Sequence, residues 1–311
     1  MDYVAGVDLG GTKILTALAD TGGNILARIK VATKAADGPA AVIGRLVDSV
    51  RQVAAGVPLA AVGVGSPGPL DHTTGLVYHS PNLGWRNVPL GEMLRERLGV
   101  PVFVDNDANL AALGECVRGA GQNESHLVYV TVSTGIGGGL ILDGRIYHGS
   151  AGGAGEIGHM ILDRDGPLCS CGRRGCLEAL ASGTAIAREA RELVARGGGS
   201  GLRRLEPGAI TAQTVAETAR QGDAAAAAIL RAAAVNLGRG LAGVITLLNP
   251  RVVVVGGGVM ASGPAFLATA REEAARHAYG PAWERVSLVP ARLGGDSGVV
   301  GAVALAFGTQ G

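Results

Sequence analysis

Residues 3–19 read YVAGVDLGGTKILTALA, and this stretch decides the fold. An apolar run ends in the carboxylate of Asp8, two glycines follow, and a second apolar run begins after Lys13. Apolar runs separated by a glycine pair are typical of two antiparallel strands joined by a tight turn. A third run at residues 25–31 follows a turn at residues 20–23. The sequence therefore predicts a meander of three antiparallel strands at the start of the chain.

A second copy of this pattern lies about 125 positions further along the chain. There an apolar run at 127–133 meets a glycine-rich break at 134–139, and a short strand at 140–142 follows. Each copy is accompanied by segments with helical spacing of apolar residues and by further strand-like runs, at 40–55, 60–64, 182–195, 211–220, 223–248 and 252–255. Two related α/β lobes are predicted.

Composition agrees with two compact lobes. The chain has 311 residues, of which 47% are hydrophobic and 17% charged, so it is neither disordered nor fibrous. With 27 basic and 26 acidic residues, the formal charge of +1 gives no bulk attraction for nucleic acid or for an anionic membrane. Arg231, Asn236 and Arg239 interrupt the apolar stretch 224–248, which we interpret as a buried helix of a soluble protein. No leader pattern precedes Tyr3, so we expect a cytoplasmic protein.

The first glycine turn has the chemistry of a phosphate-binding loop. Backbone N–H groups at Gly10, Gly11 and Thr12 can approach phosphate oxygens, Lys13 adds a cation, and Asp8 could hold a hydrated Mg²⁺. Taken alone, the motif is equally consistent with a tight hairpin. The second copy favours polyphosphate binding between the lobes, because it supplies a matching turn.

Residues 105–109 read DNDAN and follow the apolar run 100–104. One Asp or Asn at such a place could be only a helix N-cap. Four acidic or amide side chains in five positions exceed what one cap requires. A carboxylate near a phosphate cleft is what transfer of phosphate to a hydroxyl needs, since the proton of the alcohol must be accepted.

One histidine and three cysteines follow in the order H-x9-C-x-C-x4-C, as His159, Cys169, Cys171 and Cys176. Four such ligands bind Zn²⁺ tetrahedrally in a structural site. The alternative, buried reduced cysteines, is disfavoured by the arginines and glycines around them. Glu156 and Glu178 flank the cluster, so a zinc would fix two carboxylates that can accept hydrogen bonds from a polyol.

Together these motifs resemble the bacterial ROK proteins (repressors, open reading frames and kinases) of the actin and hexokinase superfamily. The resemblance covers essentially the whole chain, and its marks are residues 8–13, 105–109, 155–159 and 169–178. It implies a two-lobed α/β fold, ribonuclease H-like, with an interlobe active-site cleft. The small lobe would comprise residues 1–110 and the C-terminal helix 298–311. The large lobe would comprise 111–297, with the zinc-binding segment 159–176.

The resemblance also implies roles for individual residues. Asp107 matches the general base that accepts the proton of the sugar 6-hydroxyl, and His159 would serve both zinc and a sugar hydroxyl. The matching hexose-binding positions are Asn82, Asn106, Asp107, Glu156, His159 and Glu178. The matching nucleotide-binding positions are Asp8, Gly10, Gly11, Thr12, Lys13, Thr134, Gly135, Gly256, Gly257 and Gly258.

The expected reaction is transfer of phosphate from ATP, with Mg²⁺, to glucose or a related hexose. Fructose, N-acetylmannosamine, N-acetylglucosamine or allose as acceptor, and polyphosphate as donor, stay open at this point. A sugar-responsive repressor is disfavoured because the first strand begins at Tyr3, leaving no room for a DNA-reading domain before it. A noncatalytic sugar-binding scaffold is disfavoured because Asp107 and the phosphate loop are present. The resemblance further implies a homodimer or homotetramer.

Overall fold

The structure is a computed structural model that describes residues 3–198 and 200–308. Within them the strands are β1 (Tyr3–Leu9), β2 (Lys13–Ala19), β3 (Ile25–Ala32), β4 (Leu59–Ser66), β5 (Leu70–Asp71), β6 (Leu76–Ser80), β7 (Trp85–Pro89), β8 (Val102–Asn106), β9 (Leu127–Val132), β10 (Ile136–Leu142), β11 (Arg145–Ile146), β12 (Val252–Gly256) and β13 (Ser287–Pro290). The helices are α1 (Pro39–Ala54), α2 (Leu90–Leu98), α3 (Asp107–Arg118), α4 (Leu177–Ala181), α5 (Gly183–Ala195), α6 (Ala212–Arg220), α7 (Ala224–Leu248), α8 (Pro264–His277), α9 (Gly280–Trp283) and α10 (Ser297–Ala306).

The first sheet has the order β3-β2-β1-β4-β8. Strands β1, β2 and β3 pair antiparallel, which confirms the predicted meander, while β4 lies parallel to both β1 and β8. Successive side chains of β1 face opposite sides of the sheet. Val7 and Leu9 belong to the core cluster under α1, whereas Val4 belongs to the cluster under α10. Both faces of the sheet are therefore covered by helices.

The second sheet repeats this order as β11-β10-β9-β12-β13. Its first glycine-rich segment departs from the sequence prediction. Residues 136–139 were expected to form a break before a strand at 140–142, yet β10 begins at Ile136. Glycine lowers the intrinsic preference for a strand, but pairing with β9 and β11 supplies the ladder that overrides it. A third sheet, β5-β6-β7, was not predicted.

Helix α7 is the one helix of the described residues that is long and apolar enough to cross a membrane by length and composition alone. Half of its apolar window is buried inside the protein. It packs against α4, α6 and α8, as a core helix does.

The described chain divides into two compact units. The first takes residues up to 129, 139–155 and from 291 onward, and the second takes 130–138 and 156–290. Helix α3, in which the predicted boundary after residue 110 falls, belongs wholly to the first unit. Helix α10 lies in the first unit, where it packs against β1, β4 and α3. Residues 309–311 of the predicted final helix lie outside the described residues.

Candidate functional site

The junction of β8 and α3 presents the DNDAN segment in the first unit. Asn106 is the N-cap of α3, and its Oδ1 accepts hydrogen bonds from the backbone N–H groups of Ala108, at 2.9 Å, and Asn109, at 3.4 Å. Its Nδ2 donates to the carbonyl of Gly68 at 3.4 Å. Asp107 is the first residue of the helix and accepts from the N–H of Ala108 at 2.9 Å. The cap fixes where Asp107 stands, and the half-buried side chain of Asp107 keeps some solvent access.

Beneath this junction lies a polar network that no sequence motif indicated. The carboxylate of Asp105, which is 1% exposed, accepts from the backbone N–H of Asn106 at 2.7 Å and from Nδ2 of Asn109 at 2.9 Å. Its second oxygen lies 2.7 Å from Nε2 of His148. The ring of His148 stacks on that of His72, with centroids 3.7 Å apart and parallel planes. Three chain segments of the first unit thus meet at Asp105.

The phosphate-loop candidate is the turn between β1 and β2. The N–H of Gly10 bonds the carbonyl of Lys13 at 2.9 Å, which closes the turn. Asp8, at the end of β1, is mostly removed from water, and this burial raises the pKa of its carboxyl above the usual range, with Lys13 acting in the opposite direction. Asp8 supplies one carboxylate beside the predicted phosphate loop. Mg²⁺ is commonly bound by one or two carboxylates together with the phosphates of a substrate, so Asp8 suits such an ion.

Asn82 lies against this same turn. A side chain on Gly11 would place its Cβ 2.9 Å from the main-chain oxygen of Asn82. The predicted hexose loop and the predicted phosphate loop are therefore neighbours within the first unit.

His159, Cys169, Cys171 and Cys176 lie together, as predicted, with their ligand atoms all within 4.8 Å of one another. The sulfur of Cys169 is 3.7 Å from Nδ1 of His159, and the sulfurs of Cys171 and Cys176 are 3.6 Å apart. Tetrahedral ligands at bonds of about 2.3 Å lie about 3.7 Å from one another. Loss of water, reinforced by the neighbouring thiols, raises the pKa of Cys176 to about 12. A bound cation would reverse that effect, so the cluster fits a tetrahedral metal ion.

The two predicted carboxylates beside the cluster have different surroundings. Glu156 lies 3.9 Å from Nε2 of His159, the ring nitrogen opposite the one that faces Cys169. Glu178 accepts from the N–H of Ile136 at 3.0 Å through one oxygen and from the hydroxyl of Ser170 at 3.0 Å through the other. Glu178 therefore ties the cysteine loop to the second glycine-rich turn.

A cavity of about 700 Å³ opens in the second unit. Thr134 and Gly258 line it, together with Thr184, Arg191, Thr211 and Arg220, which sequence reasoning missed. The carbonyl of Thr134 accepts from the N–H and the hydroxyl of Thr184, at 3.2 and 2.8 Å, so the start of α5 fixes the turn. The predicted nucleotide residues Gly135, Gly256 and Gly257 are not among its lining residues.

The sequence indicated in part where the missed cavity-lining residues would lie. Ser182 caps α5 and Thr211 caps α6, and the sequence predicted both helices near those positions. Their first turns border the cavity, but helical spacing identifies only the buried face and carries no information about what the N-terminus contacts.

Comparison with known proteins places the chain. The sequence model of the ROK family matches residues 4–308, so the chain belongs to the ROK family. A glucokinase of Halalkalibacterium halodurans is 38% identical over 96% of this chain and 93% of its own. Two crystal structures are similar over nearly the full length. A ROK hexokinase from Thermus thermophilus is 38% identical with a TM-score of 0.85, each chain being covered to 98%.

The second structure is a ROK family glucokinase from Streptomyces griseus in complex with glucose and AMPPNP. It is 37% identical with a TM-score of 0.84, and the match covers 99% of this chain and all of the other. These likenesses confirm the predicted α/β fold of the actin and hexokinase type. The family also has regulators, and the xylose repressor of Bacillus subtilis is 30% identical over 96% of this chain and 75% of its own.

Proposed function

We propose that the protein is a glucokinase, which transfers the γ-phosphate of ATP to the 6-hydroxyl of glucose. The observation that carries the proposal is the near full-length similarity to glucokinases at 37–38% identity, one of them solved with glucose and AMPPNP. Asp107 at the start of α3 and the cavity beside Thr134 supply suitable groups for the acceptor and the nucleotide.

Asp107 would accept the proton of the 6-hydroxyl while that oxygen forms its bond to the γ-phosphorus and the bond from the γ-phosphorus to ADP breaks. Its position is set by the N-cap of Asn106 and by its own bond to the N–H of Ala108. Because both lone pairs of Asn106 Oδ1 face the helix N-terminus, its Nδ2 is the group that would donate to a sugar oxygen.

The nucleotide would use the turns at residues 10–13 and 134–135 and the cavity that includes Gly258. Magnesium neutralises charge on the phosphates when bound, and Asp8 would orient its water ligands. Lys13 would neutralise a phosphate oxygen. The remaining predicted nucleotide residues, Gly256 and Gly257, would only shape the end of β12.

Zinc is the metal that three sulfurs and one imidazole favour in a site with no open position. It would be a structural ion, held by His159, Cys169, Cys171 and Cys176. His159 would bind the metal through Nδ1, leaving Nε2 next to Glu156 for a sugar hydroxyl. Asn82 and Glu178 complete the proposed hexose contacts.

Asp107→Asn tests the assignment of the base. We expect kcat to fall about a hundredfold to ten-thousandfold, since an amide cannot accept the proton, while glucose still binds. Measurement is by coupled ADP formation, with glucose binding followed by calorimetry. Asp143→Asn is the matched control, because Asp143 is 90% exposed and pairs only loosely with His126. Near-wild-type kcat for folded Asp107→Asn would show that the base is elsewhere.

A noncatalytic, sugar-binding role is the second candidate, because the xylose repressor matches almost the whole chain. Glucose binding without turnover, with either ATP or polyphosphate, would favour it. Another hexose as preferred acceptor would keep the mechanism and change the substrate. We further propose a cytoplasmic location and a homodimer or homotetramer. Sedimentation would test the oligomeric state.

A further inference from the structure

The buried carboxylate of Asp105 has more hydrogen-bond donors around it than the start of a helix requires. A charge removed from water is costly unless it is paired and hydrogen-bonded. Asp105 meets this condition with three donors: the N–H of Asn106, Nδ2 of Asn109 and Nε2 of His148. Two of them come from the β8–α3 junction itself, and the third comes from a loop 43 positions away.

Among these three donors, His148 is the one that lies outside the β8–α3 junction. Its side chain is 13% exposed, and at 2.7 Å it makes one of the shortest polar contacts at the junction. Neutral His148 protonated on Nε2 donates one hydrogen bond to Asp105, and the imidazolium adds a charge of opposite sign. In either form it supplies a donor to one oxygen of Asp105, while the other oxygen accepts from Asn106 and Asn109.

His72 fixes the plane of the His148 ring by stacking on it at 3.7 Å. Burial, followed by the proximity of His148, lowers the pKa of His72, and the carboxylates of Asp105 and Asp71 act in the opposite direction. His72 is therefore mainly neutral at neutral pH. The stack leaves Nε2 of His148 directed at Asp105.

We propose that His148 is a positioning residue for the kinase reaction, acting through Asp105 on the backbone at Asn106 and thereby on Asp107, and that His72 holds His148 in place. This inference rests on the proposed function. Asp107 must meet the hydroxyl at hydrogen-bond distance, and a displacement of about 1 Å at a reacting group costs about a hundredfold in rate. Without His148, one buried oxygen of Asp105 loses its donor, and the carboxylate can turn to find another, which weakens its bond to Asn106.

The test compares His148→Ala with His148→Gln, which keeps an N–H donor. We expect kcat at saturating glucose and ATP to fall at least tenfold in His148→Ala, with the KM for ATP within about twofold of wild type. His148→Gln should recover most of the loss. His126→Ala is the control, since it breaks an exposed His–Asp pair and should leave kcat unchanged. Thermal unfolding of each variant is measured alongside.

Unfolding of His148→Ala would not end the test, because His72→Ala removes only the stack and should lower kcat by an intermediate factor. The inference is overturned if folded His148→Ala keeps kcat within twofold of wild type while only its melting temperature falls, or if His148→Gln is as impaired as His148→Ala. Where His148→Ala does not fold, an unchanged kcat in His72→Ala also overturns it. A wild-type protein without hexose-dependent ADP formation would overturn the proposed function, and this inference with it.

Discussion

Cys171 is the exposed member of the cluster of four side chains that we propose to bind zinc. Replacing it with serine removes one thiolate from a site that needs four ligands. We expect Cys171→Ser to lose most of its zinc, to melt at lower temperature and to raise the KM for glucose, because His159 and Glu178 lose a fixed neighbour. Zinc per chain is measured by atomic emission.

Cys116→Ser is the matched control. Its thiol lies outside the cluster and donates to the carbonyl of Glu124, a bond that a hydroxyl can replace. It should keep full zinc content. Well below one zinc per folded, active wild-type chain would contradict the structural-zinc proposal.

The imidazole of His72 makes stability depend on pH. Its pKa is lowered in the folded protein by burial and by His148, with Asp105 and Asp71 acting in the opposite direction. The unfolded chain therefore binds a proton first as pH falls below about 6.5, and the stabilisation from neutral His72 is present above that pH and lost below it.

His72→Phe keeps an aromatic ring but cannot take a proton. We expect its melting temperature to fall less than that of wild type between pH 7.5 and 5.5, as measured by calorimetry at matched ionic strength. Parallel curves for the two proteins would contradict this assignment.

For individual residues, the sequence predicts a cluster when its members lie close together along the chain. The cluster of His159, Cys169, Cys171 and Cys176 could be predicted from spacing, because its four members lie within 18 positions and are of the residue types that bind zinc. His72 and His148 are 76 positions apart and share no motif, so only the folded chain reveals that their rings stack. The roles of Asp107 and the other site residues stay predictions.

Helices α3 and α10 show close packing at the level of elements. A Cβ on Gly301 would collide with the carbonyl oxygen of Leu110, so this position admits no side chain. Gly301→Ala should destabilise the protein by about 1–3 kcal/mol, because overpacking forces the helices apart. The free energy of unfolding in urea is the measurement.

Gly243→Ala is the control for that variant. Gly243 is an exposed position of α7 where an added Cβ meets no atom within 4 Å in the described structure. Alanine there should stabilise the protein by about 0.5–1 kcal/mol through helix propensity. Equal changes at both positions would refute the packing argument.

Elements with strong periodicity were predictable from sequence. The apolar spacing in α1 predicts its buried face, and Val42, Ile43, Leu46, Val47 and Val50 are all buried. Strand β10 was predicted too short, since its glycines carry no apolar signal and its pairing comes from β9 and β11. Strands β5 to β7 stayed unpredicted because turn residues such as Pro and Asn outweigh their short apolar runs.

At the scale of the whole molecule, the two five-stranded sheets have the same strand order. This repeat was visible in the sequence as two glycine-rich turns, each following an apolar run. It agrees with the fold shared with the ROK hexokinase and glucokinase structures at TM-scores of 0.84–0.85.

Ligand binding should raise the free energy of unfolding of the whole chain. A hexose that binds only the folded state, present at a hundredfold excess over its Kd, adds about 2.7 kcal/mol. We expect glucose to raise the melting temperature, and xylose, which lacks the 6-hydroxymethyl group of glucose, to raise it less. The same shift with xylose as with glucose would contradict a glucose-adapted site.

The most direct test of the central proposal is a coupled assay of ADP formation with Mg-ATP across glucose, mannose, fructose, N-acetylmannosamine, N-acetylglucosamine and allose, with polyphosphate as an alternative donor. The glucokinase proposal predicts hexose-dependent turnover with a kcat/KM for glucose well above that for every other sugar. Absence of turnover with every pair of donor and acceptor, in folded protein with its metal bound, would contradict it.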